Sequence, residues 1–267
     1  MGYTILEQTG RFLAQLLTKP SPGYEPFAPI PVERLLGVLE PGDIILVEGH
    51  QYVSSAIKYL TMSTWSHAAM YVGEIEGAEE ADGEPHRLIE VLIGPGCITA
   101  PLSKYDCHNI RICRPVGLTK EDREAVVNYM RERIGLKYDL KNVFDLLRYL
   151  FPTPPIPVRF RRRMIALGSG DPTRAICSTL IAQAFQQVRY PILPRIETVE
   201  QRIGNDRSNY TRQEILHIRH HSLFAPRDFD LSPYFAVVKP TIHFGFDYKD
   251  LVWHEPEEEE ERAQPGR

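Results

Sequence analysis

A thiol, an imidazole and a carboxylate each stand out from their surroundings in this sequence. Cys177 lies in the first turn of ICSTLIAQAFQQV, residues 176–188, whose apolar side runs Leu180, Ile181, Ala184, Phe185 and Val188. A thiol at a helix start feels the positive end of the dipole and free N–H groups, which favour thiolate and can hold an oxyanion. An arbitrary cysteine is more often a small buried hydrophobe. Cys97, in a Gly-Pro-Gly turn, and Cys107 and Cys113, flanking a strand, fit that plainer role. His67 opens an apolar strand directly after TMSTWS, a rigid seat for a base. Taken alone, it reads better as a core histidine bonded to a backbone carbonyl. Glu90 sits in RLIEVLIG, with Leu88 and Leu92 on its face by period two. A carboxylate there is buried and needs a partner. That partner is an arginine in a structural ion pair, or a histidine whose second nitrogen it holds in a triad.

Weaker candidates surround these three. His217, His220 and His221 form HIRHH, but no carboxylate or cysteine completes a metal set, so a solvated or helical surface cluster is the expectation. Ser169 lies between two glycines without the full nucleophile-elbow pattern. Arg159, Arg161, Arg162 and Arg163 can meet phosphate or anionic lipid, and are more often a solvated face.

Several elements must position these groups. Residues 4–18 read as a short amphipathic helix, followed by the proline-rich connector 20–31. GDIILVEG after Pro41-Gly42, SHAAMYVGEI (66–75), RLIEVLIG (87–94) and HNIRICRP (108–115) read as strands. A polar, hairpin-like loop spans 77–86. The strands 66–75 and 87–94 should pair antiparallel and set His67 beside Glu90. Thr119 with Asp122 starts a helix whose face is Val126, Val127, Met130 and Ile134. Asp139 caps another, ended by Pro152, ahead of the proline connector 151–158. A last strand falls near 232–240. Strands first and helices after predict an α+β class.

Composition sets the outer bounds. The chain has 267 residues, 43% hydrophobic and 25% charged, enough for one large domain or two small ones. The net charge of -4 is concentrated in the acidic tail around Glu257 to Glu261, and no basic stripe suggests nucleic acid as a partner. Four cysteines without a CxxC pair argue against a zinc ribbon or a thioredoxin-type site. No secretory signal is visible, and no apolar run reaches the ~18 residues a spanning helix needs. Gly2 is followed by Leu6 where myristoylation wants Ser or Thr. The default compartment is the cytosol, with export by a route lacking a cleaved signal left open.

The strings PGDIIL (41–46), TMSTWSHAAMYVG (61–73), LIEVL (88–92), GLKYD (135–139), ICSTLIAQAF (176–185) and APRDFDLSPYFAVV (225–238), in this order, resemble the circularly permuted papain-like amidases, the YiiX-like branch of the NlpC superfamily. Permutation accounts for the order His, acid, Cys. The resemblance covers roughly residues 38–240 and implies a papain-like catalytic domain, a small antiparallel sheet packed against helices. It leaves 1–37 as an N-terminal helix and connector, and 241–267 as an extension with an acidic tail. It makes Cys177 the nucleophile, His67 the base and Glu90 the orienting acid, with Tyr138 near the nucleophile as an oxyanion donor. Trp65, Ser66 and Ser178, which flank these groups, are the expected substrate contacts. No metal or other cofactor is implied. The expected chemistry is acyl transfer through a thioester, on cell-wall peptide or amino-acid amides. The alternatives are a lipid acyl hydrolase or acyltransferase related to lecithin retinol acyltransferase, and a non-catalytic binding module. The partner is therefore a small molecule, peptide or lipid. The 4–18 segment and the arginine cluster lean toward a peripheral membrane contact. Oligomeric state is not encoded in any of these features.

Overall fold

A computed structural model describes residues 25–27, 29–92, 95–137, 176–202, 210–217, 224–247 and 249. The expected helices at 4–18 and 139–150, Tyr138, the arginine cluster and the acidic tail lie outside the described residues. The frame is a six-stranded antiparallel sheet in the order β4-β3-β2-β1-β5-β8. Its strands are β1 (Ile44–Val47), β2 (His67–Tyr71), β3 (Leu88–Leu92), β4 (Gly96–Ala100), β5 (Ile110–Pro115) and β8 (Phe235–Val238). A separate hairpin pairs β6 (Arg195–Arg202) with β7 (Tyr210–His217). His217 thus closes a strand rather than sitting on a helix.

Strand β1 is buried at every position, as its unbroken IILV run requires of a strand covered on both faces. On one face Ile44, Leu46, Ala68, Met70, Ile89 and Val91 meet α3 (Lys120–Arg131) and α4 (Ile176–Gln187). On the other, Ile45, Val47, Ala69 and Leu88 meet Leu35 of α1 (Val32–Leu36), with Val38, Leu39 and Tyr105. These two apolar layers satisfy the burial that alternating strands demand. The side chain of Thr119 caps α3 by accepting the Asp122 N–H at 3.1 Å, as the sequence pattern predicts. Ile134 lies beyond the end of α3 and is 39% exposed, so it does not extend the helix face.

Further elements depart from the sequence-based expectation. Cys97 is in strand β4, not in a turn, because Gly96 takes φ +86° and lets the chain re-enter the sheet. A Cβ on Gly96 would lie 2.2 Å from the Leu136 carbonyl oxygen, so glycine alone fits. Residues 52–61 form α2 (Tyr52–Thr61), and Pro226 opens the short α5 (Pro226–Leu231). The last helix, α6, is Pro240–His243.

Candidate functional site

The register of β2 on β3 places Ala69 opposite Glu90. His67, two residues earlier on the same face, is therefore the diagonal neighbour of Glu90, within reach of a long side chain. Its Nε2 lies 2.6 Å from Glu90 Oε2. Both offered partners of Glu90 turn out to be present in kind, because its Oε1 is ion-paired with Lys104, a lysine rather than an arginine. The Tyr105 hydroxyl donates to Oε2 as well. Lys104 and Tyr105 belong to a single 3-10 turn, Ser103–Tyr105, just after β4.

Cys177 belongs to the opposite core layer, in the first turn of α4. It meets His67 at the first residue of β2, where its sulfur is within hydrogen-bonding reach of the imidazole and of the Ala68 N–H. Because Nε2 is occupied by Glu90, Nδ1 is the nitrogen left for sulfur. The Ser178 hydroxyl is 3.9 Å from Cys177 Sγ. The site is thus assembled across the sheet, with the carboxylate and its supports on one face and the thiol on the helix of the other.

Electrostatics follow from these contacts. Burial disfavours a charge on Cys177, but the His67 imidazolium and its hydrogen bond outweigh burial and lower the thiol pKa. Burial also disfavours charge on His67. The Cys177 thiolate, the hydrogen bond to it and the Glu90 carboxylate outweigh burial and push the imidazole up to about 10. Glu90, fully buried, would be raised by desolvation, yet the His67 hydrogen bond and charge together with Lys104 hold it down to about 2. Burial and the adjacent Glu90 carboxylate push Tyr105 well above the usual phenol range, so it stays a proton donor. His108 stacks edge-on to Tyr105 at 5.6 Å, and His50 follows at 5.1 Å. Burial and the charges of His50, Lys104 and His67 lower the His108 pKa, so a second imidazolium is disfavoured beside the first. The other buried thiols behave differently: burial raises Cys97 to about 11 and Cys113 to about 12.

Cys177, His67 and Glu90 thus come together. The expected substrate contacts Trp65, Ser66 and Ser178 are all buried. The Trp65 indole N–H donates to Asp230 at 3.1 Å. Ser66 Oγ accepts the Gly49 N–H at 2.9 Å, and a Cβ on Gly49 would lie 2.8 Å from that oxygen. Nothing in the sequence SKYDC distinguishes Lys104 and Tyr105 from an ordinary polar turn. Among the described residues, no three His, Cys, Asp or Glu side chains are grouped as ligands for a metal ion. No described helix is long and apolar enough to cross a membrane.

An antiparallel sheet between helices, with a helix-borne cysteine meeting a strand histidine, is a papain-like α+β arrangement in permuted chain order. Residues 38–149 match the family described as permuted papain-like amidase enzyme, YaeF/YiiX, C92 family. The match covers His67 and Glu90 and ends before Cys177. A solved crystal structure, the metalloprotein yiiX from Escherichia coli O157:H7, is similar over 75% of this chain and 96% of that chain, at 15% sequence identity and a TM-score of 0.42. No curated protein matches the sequence.

Proposed function

We propose that this protein is a hydrolase, a cysteine amidase in which Cys177 is the nucleophile, His67 the base and Glu90 the residue that orients and charges the base. The observation that carries this is the continuous hydrogen-bonded chain from the Cys177 thiolate through the His67 imidazole to Glu90 Oε2, the last link being 2.6 Å. A thiolate and an imidazolium side by side are the resting form of an activated thiol.

The chemistry then runs in two halves. The Cys177 thiolate adds to the amide carbonyl carbon, and first-turn N–H groups of α4 stabilise the oxyanion. The C–N bond breaks as His67 gives its proton to the departing amine, leaving a thioester. Neutral His67 then takes a proton from water, whose oxygen attacks the thioester. The C–S bond breaks, the acid is released, and thiolate and imidazolium are restored. Glu90 stays ionised throughout and stabilises the imidazolium. Tyr138, as a further oxyanion donor, is part of the same proposal through its place in the family motif.

Peptide amides and phospholipids, screened by mass spectrometry, provide the test. Turnover of amides is expected, with loss of all activity in Cys177→Ala and a comparable loss in His67→Ala, since such groups act as a unit. Amide turnover surviving in Cys177→Ala overturns the proposal, and so does turnover confined to lipid esters.

A further inference from the structure

A second feature lies on the Cys177 side of the sheet. A cleft of about 570 Å³ is bounded by Met62 and Trp65 of the segment leading to His67, by Arg111 of β5, and by Arg227, Asp230 and Leu231 of α5. Arg111 and Ala68 both pair with Leu46, so they point to one face and lie two strand spacings, about 10 Å, apart. Ala68 supplies the N–H that holds Cys177. The cleft therefore sits beside the reactive thiol, at the reach of an extended substrate.

Its charges are not balanced. Lys58 is paired with Glu48 at 3.2 Å, and Arg111 with Asp230 at 2.6 Å. Arg111 also lies over the Trp65 ring at 5.0 Å, which fixes its plane. Arg227 donates to the Thr61 carbonyl at 2.6 Å, and among the described residues it has no carboxylate partner. Its guanidinium retains donors suited to an oxyanion. Met62, 53% exposed, and Leu231, 50% exposed, add an apolar rim.

We infer that this cleft is the substrate subsite for a carboxylate carried on a short apolar group, with Arg227 as its cation. It rests on the proposed amidase function and narrows the substrates to amides bearing a free carboxylate. Glu48 and Asp230 are each already paired, so the one cation left over, Arg227, suits a monoanion. A dianionic phosphate would bring a second charge for which the cleft lining holds no further cation without a carboxylate partner.

The test is an NMR titration of the full chain with hexanoate, hexanol and hexyl phosphate, read at the Trp65 indole N–H. Hexanoate should bind at least about tenfold more tightly than hexanol, as expected for a charge-assisted hydrogen bond. Arg227→Met should erase that preference and Arg227→Lys should keep most of it. In turnover, Arg227→Met should raise KM for carboxylate-bearing amides with little change in kcat. Equal binding of hexanoate and hexanol, tighter binding of hexyl phosphate, or an undiminished preference in Arg227→Met overturns the assignment. The titration does not involve the thiol, so failure of the Cys177 chemistry would leave it standing, and the converse also holds.

Discussion

His67 and Lys104 hold opposite oxygens of one buried carboxylate: His67 Nε2 is 2.6 Å from Glu90 Oε2, while Lys104 is paired with Oε1. His67, and after it the lysine, keep Glu90 ionised, and the Tyr105 hydroxyl shares the histidine's oxygen. Replacing Lys104 by Met should leave the fold intact and cost about 1–3 kcal/mol, between the values for exposed and buried pairs, because its side chain is 33% exposed. Urea denaturation measures the cost. The same variant should slow turnover by weakening the hold on Glu90.

Tyr105→Phe removes one donor from a buried carboxylate and should cost about 1.5–3 kcal/mol of stability, the range for hydrogen bonds to charged groups. If Tyr105 only packs against His108, the loss in urea denaturation will be near zero.

Glu90→Gln should keep strand β3 and lower kcat by up to about 10⁴-fold, because an amide neither charges nor correctly orients the imidazole. It should also change acid stability. The folded carboxyl is held down to about 2, below its unfolded value of about 4.3. Ionised Glu90 therefore contributes stability that is fully present above about pH 4.3 and is lost as pH falls toward about 2. The melting temperature of Glu90→Gln should consequently fall less steeply across that window than that of the parent protein.

Much of this site is legible in the sequence, for a physical reason. A carboxylate inside RLIEVLIG contrasts with every neighbour, and a desolvated charge must have partners. The strand periods of 66–75 and 87–94 then bring His67 near it, as the β2–β3 register does. The hidden part is long-range. Lys104 and Tyr105 reach Glu90 only because β4 returns alongside β3, and β4 is masked in sequence by its Gly-Pro-Gly entry. Arg227 reaches the Thr61 carbonyl across 166 residues, a contact no local pattern encodes. The helices α2 and α5 carry weak sequence signals, because one follows a strand without a side-chain cap and the other is only six residues long.

The pH dependence of turnover should be a bell. Its acid limb reports the lowered Cys177 thiol, and its alkaline limb lies near the His67 value of about 10, where the proton for the leaving amine is lost. A profile that keeps rising beyond that pH would remove His67 as the proton donor.

The most direct measurement needs no substrate. Iodoacetamide at about pH 6, where an ordinary thiol of pKa about 8.5 is almost wholly protonated, should alkylate Cys177 ahead of every other cysteine. Mass spectrometry reads the order. Cys107 is exposed and serves as the internal reference, while Cys97 and Cys113 are buried with raised pKa values and should lag. His67→Ala should flatten the selectivity, leaving only a helix-dipole contribution of about 1 kcal/mol. Labelling of Cys177 first, and loss of that priority in His67→Ala, is the predicted result. Labelling of Cys177 last, and only on unfolding, would contradict the activated thiol and with it the proposed chemistry.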